Sequence, residues 1–137
     1  MKFSYSQFPG LNSESVYRPS IPIFFKYQSY FIYTEGIIDS GADYTILPLE
    51  LAGELHLELD PSTKTKFIGA GKNPFVVYPS SVKIKHMIRQ SGFRNLEWES
   101  KVYFAESQPA ILLGHHGFLD HFRVTLDGRK REVEITT

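Results

Sequence analysis

Residues 36–43 read Gly-Ile-Ile-Asp-Ser-Gly-Ala-Asp, an apolar run that delivers one acidic side chain, Asp39, into a Ser-Gly turn. A carboxylate at the end of a buried strand is strongly disfavoured by desolvation unless it is hydrogen-bonded or put to chemical use. Acid–base chemistry is the use that suits it, because a carboxyl group can take a proton from water and return it elsewhere. A second apolar run ending in glycine, Ile111-Leu112-Leu113-Gly114, lies far downstream. His115, His116, Asp120 and His121 invite a metal reading, since imidazole is a common zinc ligand and a site needs three or four converging donors. Adjacent histidines on a strand or turn point apart, so solvated surface histidines are the expectation, with no metal and no cofactor.

Positioning Asp39 requires strands. Ile21 to Tyr33 is dense in Ile, Phe and Tyr and predicts two short strands joined around Gln28-Ser29, the second leading through Glu35-Gly36 into Ile37-Ile38. Pro48 then opens a weak helix with Leu49, Ala52 and Leu55 at helical spacing, ending near Leu59-Asp60-Pro61. Beyond it the period is two. Val82, Ile84, His86 and Ile88 share one face of a half-buried strand, and Trp98, Val102 and Phe104 repeat the pattern after Ser91-Gly92. Phe122, Val124 and Leu126 alternate with polar residues before Asp127-Gly128 turns the chain toward Val133 and Ile135, a C-terminal hairpin. Residues 1–20, rich in Ser, Pro and Tyr, read as an N-terminal arm on a single domain spanning 21–137. Many short strands with one helix indicate a mostly β domain of barrel or closed-sheet type.

The bulk composition narrows the function classes. With 42% apolar and 15% aromatic residues in 137, the chain can fill one core. Fifteen basic and fifteen acidic residues cancel, which removes the electrostatic footprint of a nucleic-acid or anionic-membrane binder. Cysteine is absent, so disulfides, thiol catalysis and thiolate metal sites are excluded. The first residues lack the apolar centre of a signal peptide and no apolar stretch could span a bilayer, so the expected location is cytoplasmic.

Asp39-Ser40-Gly41-Ala42-Asp43 resembles the active-site signature of retropepsin-like aspartic proteases, Asp-(Thr/Ser)-Gly-Ala after a hydrophobic strand. Lys66-Phe67-Ile68-Gly69-Ala70-Gly71-Lys72 is similar to the glycine-rich tip of that family's flap hairpin, and Pro109 to Gly114 to its late apolar-apolar-Gly element. Phe118 to Leu126 is similar to its terminal helix and strand. The resemblance covers about residues 21–126 with three motifs in order. It implies a retropepsin-like closed β-barrel with one or two short helices, an aspartic endopeptidase acting on polypeptide, and a homodimer. Peptide hydrolysis without a metal or covalent nucleophile needs one group to accept a proton and another to donate one, and two carboxylates sharing a proton do both. This chain has a single Asp-Ser-Gly, so a second copy must supply the other carboxylate.

By the resemblance, Asp39 holds the attacking water, Ser40 bonds across the dyad to the opposite loop, and Gly41 lets a backbone N–H approach the carboxylate. Ala42, Asp43, Ile68, Gly69, Ala70, Gly71 and Lys72 would bind substrate as an added strand. Retroviral members carry Arg after the late Gly, pairing with the counterpart of Asp43; here His115 stands there. A His115–Asp43 pair would hold best while the imidazole is charged and would favour the dimer near pH 5–6, from a histidine pKa of roughly 6.5. Two other functions compete: a non-catalytic dimeric module that binds peptide or protein on a protease fold, and a metal-dependent hydrolase built on the His115 group.

Overall fold

The computed structural model describes residues 1–68 and 73–137; Gly69, Ala70, Gly71 and Lys72, expected at the flap tip, lie outside the described residues. The chain opens with strands β1 (Lys2–Ser4), β2 (Ser6–Pro9) and β3 (Ser15–Arg18). The Ile/Phe/Tyr-rich stretch forms the expected hairpin, β4 (Ser20–Tyr27) and β5 (Tyr30–Ile38), turning at Gln28-Ser29 with Gln28 at φ 54°. Alternation along β4 buries Ile21, Ile23 and Phe25. After β6 (Ile46–Pro48) comes helix α1 (Glu50–Glu54), then the antiparallel pair β7 (Thr65–Ile68) and β8 (Pro74–Pro79). β9 (Ile84–Ile88) pairs with β10 (Leu96–Ser100), and buries Ile84, His86 and Ile88 as their period-two spacing requires. β11 (Tyr103–Ala105), β12 (Ile111–Leu113) and the terminal hairpin β13 (Arg123–Asp127) and β14 (Glu132–Thr136) complete the chain.

Nine strands form one sheet in the order β10-β9-β4-β5-β12-β6-β11-β8-β7. Its decisive feature is β12, which lies between β5 and β6, parallel to the first and antiparallel to the second. The chain therefore leaves β5 at Ile38, loops across the end of β12 and returns on its far side. That crossing loop is residues 39–45. The core beneath it is closed by Phe25, Phe104 and Phe118, all fully buried, each contributing roughly 1.5–3 kcal/mol by leaving water.

Three expectations need correction. Among the described residues the sheet does not close into a barrel: its terminal strands β10 and β7 are not paired with each other. The helix after Pro48 is only five residues long, because the chain reverses at His56 (φ 53°). There the His56 N–H donates to Gly53 O (3.1 Å) and the Leu57 N–H to Ala52 O (2.9 Å), the bond pattern of a Schellman cap with His in the place glycine usually takes. The expected terminal helix after Gly114 is a series of turns, since Gly117 at φ +95° cannot continue a right-handed helix. Leu119 N–H instead reaches back to Gly114 O, and Asp120 N–H to His115 O, both at 3.0 Å.

Residues 1–20, read from the sequence as an arm, hold β1, β2 and β3. β1 pairs with β14 in a three-stranded sheet, and the N-terminal amine donates to Ile135 O at 2.9 Å. β2 and β3 form a separate two-stranded hairpin that leaves Leu11, Val16 and Tyr17 exposed.

His86 is fully buried, stacked on Trp98 (centroids 5.0 Å) and edge-on to Phe25 (5.0 Å), with Nδ1 lacking any hydrogen-bond partner. Burial first, and the His121 ring second, push its pKa down to about 3. The unfolded chain protonates this group near pH 6.5 while the folded chain does not, so His86 contributes nothing adverse above that pH and destabilises increasingly below it. Urea unfolding is expected to lose about 1.6 kcal/mol in all between pH 6.5 and 5, the slope rising toward about 1.4 kcal/mol per pH unit as the unfolded-state histidine becomes fully protonated. His86→Leu, which binds no proton, is expected to flatten that slope; an equally steep slope in the variant would assign the acid sensitivity to another group.

Candidate active site

Asp39 sits half-buried at the point where β5 ends, its backbone N–H donating to Leu113 O on β12 at 3.1 Å. The Asp-Ser-Gly turn closes locally: Ala42 N–H donates to Asp39 O at 3.1 Å, and Gly41 N–H donates to Asp39 Oδ1 at 2.9 Å. A Cβ on Gly41 would lie 3.1 Å from Asp39 Oδ1, so glycine is what allows the amide to approach the carboxylate this closely. Ser40, Gly41 and Asp43 are exposed around it.

The loop is bonded along its length to the segment after β12. His115 N–H donates to Ala42 O (2.9 Å), His116 N–H to Asp43 O (2.8 Å) and Thr45 N–H to His116 O (2.9 Å). Thr45 Oγ1 accepts from Gly114 N–H at 3.3 Å, and Tyr44 bridges His116 in parallel. Gly114 is required by this crossing, because a Cβ there would collide with Tyr44 O and stand 2.6 Å from Ala42 O. Below, the Trp98 indole N–H donates to Gly117 O at 2.8 Å, fixing the same segment to β10.

His115 does not pair with Asp43. Its Nε2 lies 2.8 Å from the Ser40 carbonyl, and because a carbonyl only accepts, Nε2 carries the proton. The bond is thus made to main chain, and not to the Asp43 carboxylate. Asp120 stands 3.7 Å from His116 and 3.6 Å from His121. Among the described residues, no three or more His, Asp and Glu side chains are grouped to hold a metal ion.

A cleft of about 680 Å³ opens beside Asp39 and runs beneath the β7–β8 hairpin. Of the residues expected from the sequence, Asp39, Gly41, Ala42, Asp43 and Ile68 line it. Gly69, Ala70, Gly71 and Lys72 lie outside the described residues. The sequence reading missed its aromatic wall. Tyr44 stacks on Phe67 (5.1 Å) and on His116 (5.2 Å) and meets Tyr103 edge-on (4.8 Å), while Phe67 contacts Phe75 at 6.0 Å. Leu112, Ile46 and Gln108 complete the lining. The available signal was Phe67 and Phe75 placed on either side of a glycine-rich stretch of sequence, and antiparallel pairing of β7 and β8 sets them opposite each other. Burial, followed by the neighbouring Tyr44, holds the Tyr103 phenol above its ordinary pKa and therefore neutral.

The cleft lining thus combines the carboxylates of Asp39 and Asp43 with the rings of Tyr44, Phe67 and Phe75. Neither a protein-family model nor a curated protein matches the chain. Among the described residues, no helix is long and apolar enough to cross a membrane.

Proposed function

We propose that the chain is an aspartic endopeptidase of retropepsin type, in which Asp39 of two identical subunits activates one water. The observation that carries this reading is the Gly41 amide on Asp39 Oδ1, at a strand end that opens into a cleft of about 680 Å³. A carboxylate that is taking the proton of the attacking water cannot at the same moment donate one to the carbonyl oxygen; a second copy of the same loop supplies that other group. The exposed Ser40 and Gly41 leave the loop accessible to such a copy. In this reading Ser40 bonds to the opposite loop and β7–β8 is the flap. Peptide lies along the cleft as an added strand, with Ala42, Asp43 and Ile68 beside it and Gly69 to Lys72 closing over it.

Incubation with a mixed peptide library, alongside sedimentation, tests the proposal. Discrete cuts from a dimer, unaffected by EDTA and blocked by a hydroxyl-containing mimic of the tetrahedral intermediate, are expected. Binding of that mimic by a dimer that cuts nothing from acidic to neutral pH would identify a peptide-binding module instead. EDTA-sensitive cutting would return the histidine group to consideration.

A further inference from the structure

Asp39 and His115 hold opposite ends of one peptide unit. The amide between Ser40 and Gly41 donates through its N–H to Asp39 Oδ1 (2.9 Å) and accepts through its carbonyl from His115 Nε2 (2.8 Å). The peptide group is planar, so a donor that fixes the direction of its carbonyl also fixes the direction of its N–H. Hydrogen bonds in series polarise one another: drawing electron density onto the Ser40 oxygen makes the Gly41 N–H a stronger donor. The backbone that carries the imidazole is braced: the His115 main-chain N–H donates to Ala42 O (2.9 Å), and the His115 carbonyl accepts from Asp120 N–H (3.0 Å).

We propose that His115 is a positioning residue for Asp39, orienting and polarising the Ser40–Gly41 peptide so that its N–H holds the carboxylate in the geometry that grips water. The role is distinct from the side-chain ion pair with Asp43 expected at this position, because it acts through main chain and requires only an N–H on Nε2. It also differs from general packing, since the exposed imidazole contributes one directed bond. Its catalytic consequence rests on the protease reading, whereas the relay of hydrogen bonds can be read in the resting protein.

The test compares wild type with His115→Ala and His115→Gln, the latter retaining an N–H donor. Two readouts are taken: the Gly41 amide proton shift by NMR without substrate, and peptide cleavage at a fixed pH with sedimentation on each protein. In His115→Ala the Gly41 amide resonance is expected to move upfield and kcat to fall roughly tenfold or more with KM little changed. Added imidazole should restore both in part, and His115→Gln should stay near wild type. A Gly41 amide that does not move in folded His115→Ala overturns the proposal. So does a rate loss accounted for by dissociation of the dimer. A wild type that cuts nothing counts against the protease reading alone, and the Gly41 amide still decides whether the relay exists.

Discussion

Asp39→Asn is expected to give a folded protein whose kcat/KM for peptide cleavage is lower by about 10⁴-fold or more, the upper range of what a positioned acid–base group supplies. Folding should survive because Asn offers an oxygen to the same Gly41 N–H, and because a neutral amide at a half-buried strand end avoids the desolvation of a carboxylate. Thermal unfolding should therefore show a midpoint equal to or above that of wild type. Mixing gives a sharper version. When equal amounts of the two proteins exchange subunits, cleavage should fall to about half that of the wild type alone, since half of the wild-type chains are then paired with a partner lacking the carboxylate. Activity unchanged by mixing would mean that each chain carries its own complete site, and the two-fold arrangement would be abandoned.

The largest effect on stability is expected from one methyl group. In Gly114→Ala the new Cβ collides with Tyr44 O and stands 2.6 Å from Ala42 O, both backbone atoms of the loop that crosses β12. Neither can swing aside as a side chain would, and both belong to a segment fixed by the Thr45, His115 and His116 amides. A loss of about 3 kcal/mol or more is expected, at the upper end for overpacking, together with displacement of Asp39. Gly53→Ala provides the contrast. Its Cβ meets nothing within 4 Å on α1, so the same substitution should stabilise by about 0.5–1 kcal/mol through helix propensity. Denaturant midpoints of the two variants measured side by side would check both signs at once. A tolerated Gly114→Ala would mean that the loop crosses β12 less tightly than these distances require.

What the sequence made legible was local. Alternation of apolar and polar residues located β9, which buries Ile84, His86 and Ile88 on one face, and the terminal hairpin, while local density of Ile, Phe and Tyr located β4. The Asp-Ser-Gly turn was legible for the same reason, its three residue types being dictated by hydrogen bonds within five positions. The helix length was not legible: Leu49, Ala52 and Leu55 have helical spacing, but the cap at His56 depends on a left-handed residue that composition does not announce. Nor was the aromatic wall. Phe67, Phe75 and Tyr103 lie on β7, β8 and β11 and Tyr44 on the crossing loop just before β6, and their meeting follows from β6, β11, β8 and β7 lying side by side in the sheet. Sheet closure failed as an expectation because strand count does not determine whether the first and last strands reach one another. The partner of His115 was misjudged because it was inferred by analogy with a longer guanidinium, whereas the imidazole meets the Ser40 carbonyl.

The ends of the chain have a consequence for how activity would respond to quantity. β1 pairs with β14, Met1 bonds Ile135, and the Gln90 side chain occupies both the N–H and the carbonyl of Lys2 on the outer edge of β1. On the proposed dimeric reading, each protomer thus pairs its terminal strands within its own chain. A site completed only by a second copy of such a protomer is assembled by mass action alone. Specific activity should then fall steeply on dilution while circular dichroism stays constant, so that abundance itself would act as the on–off control without any unfolding.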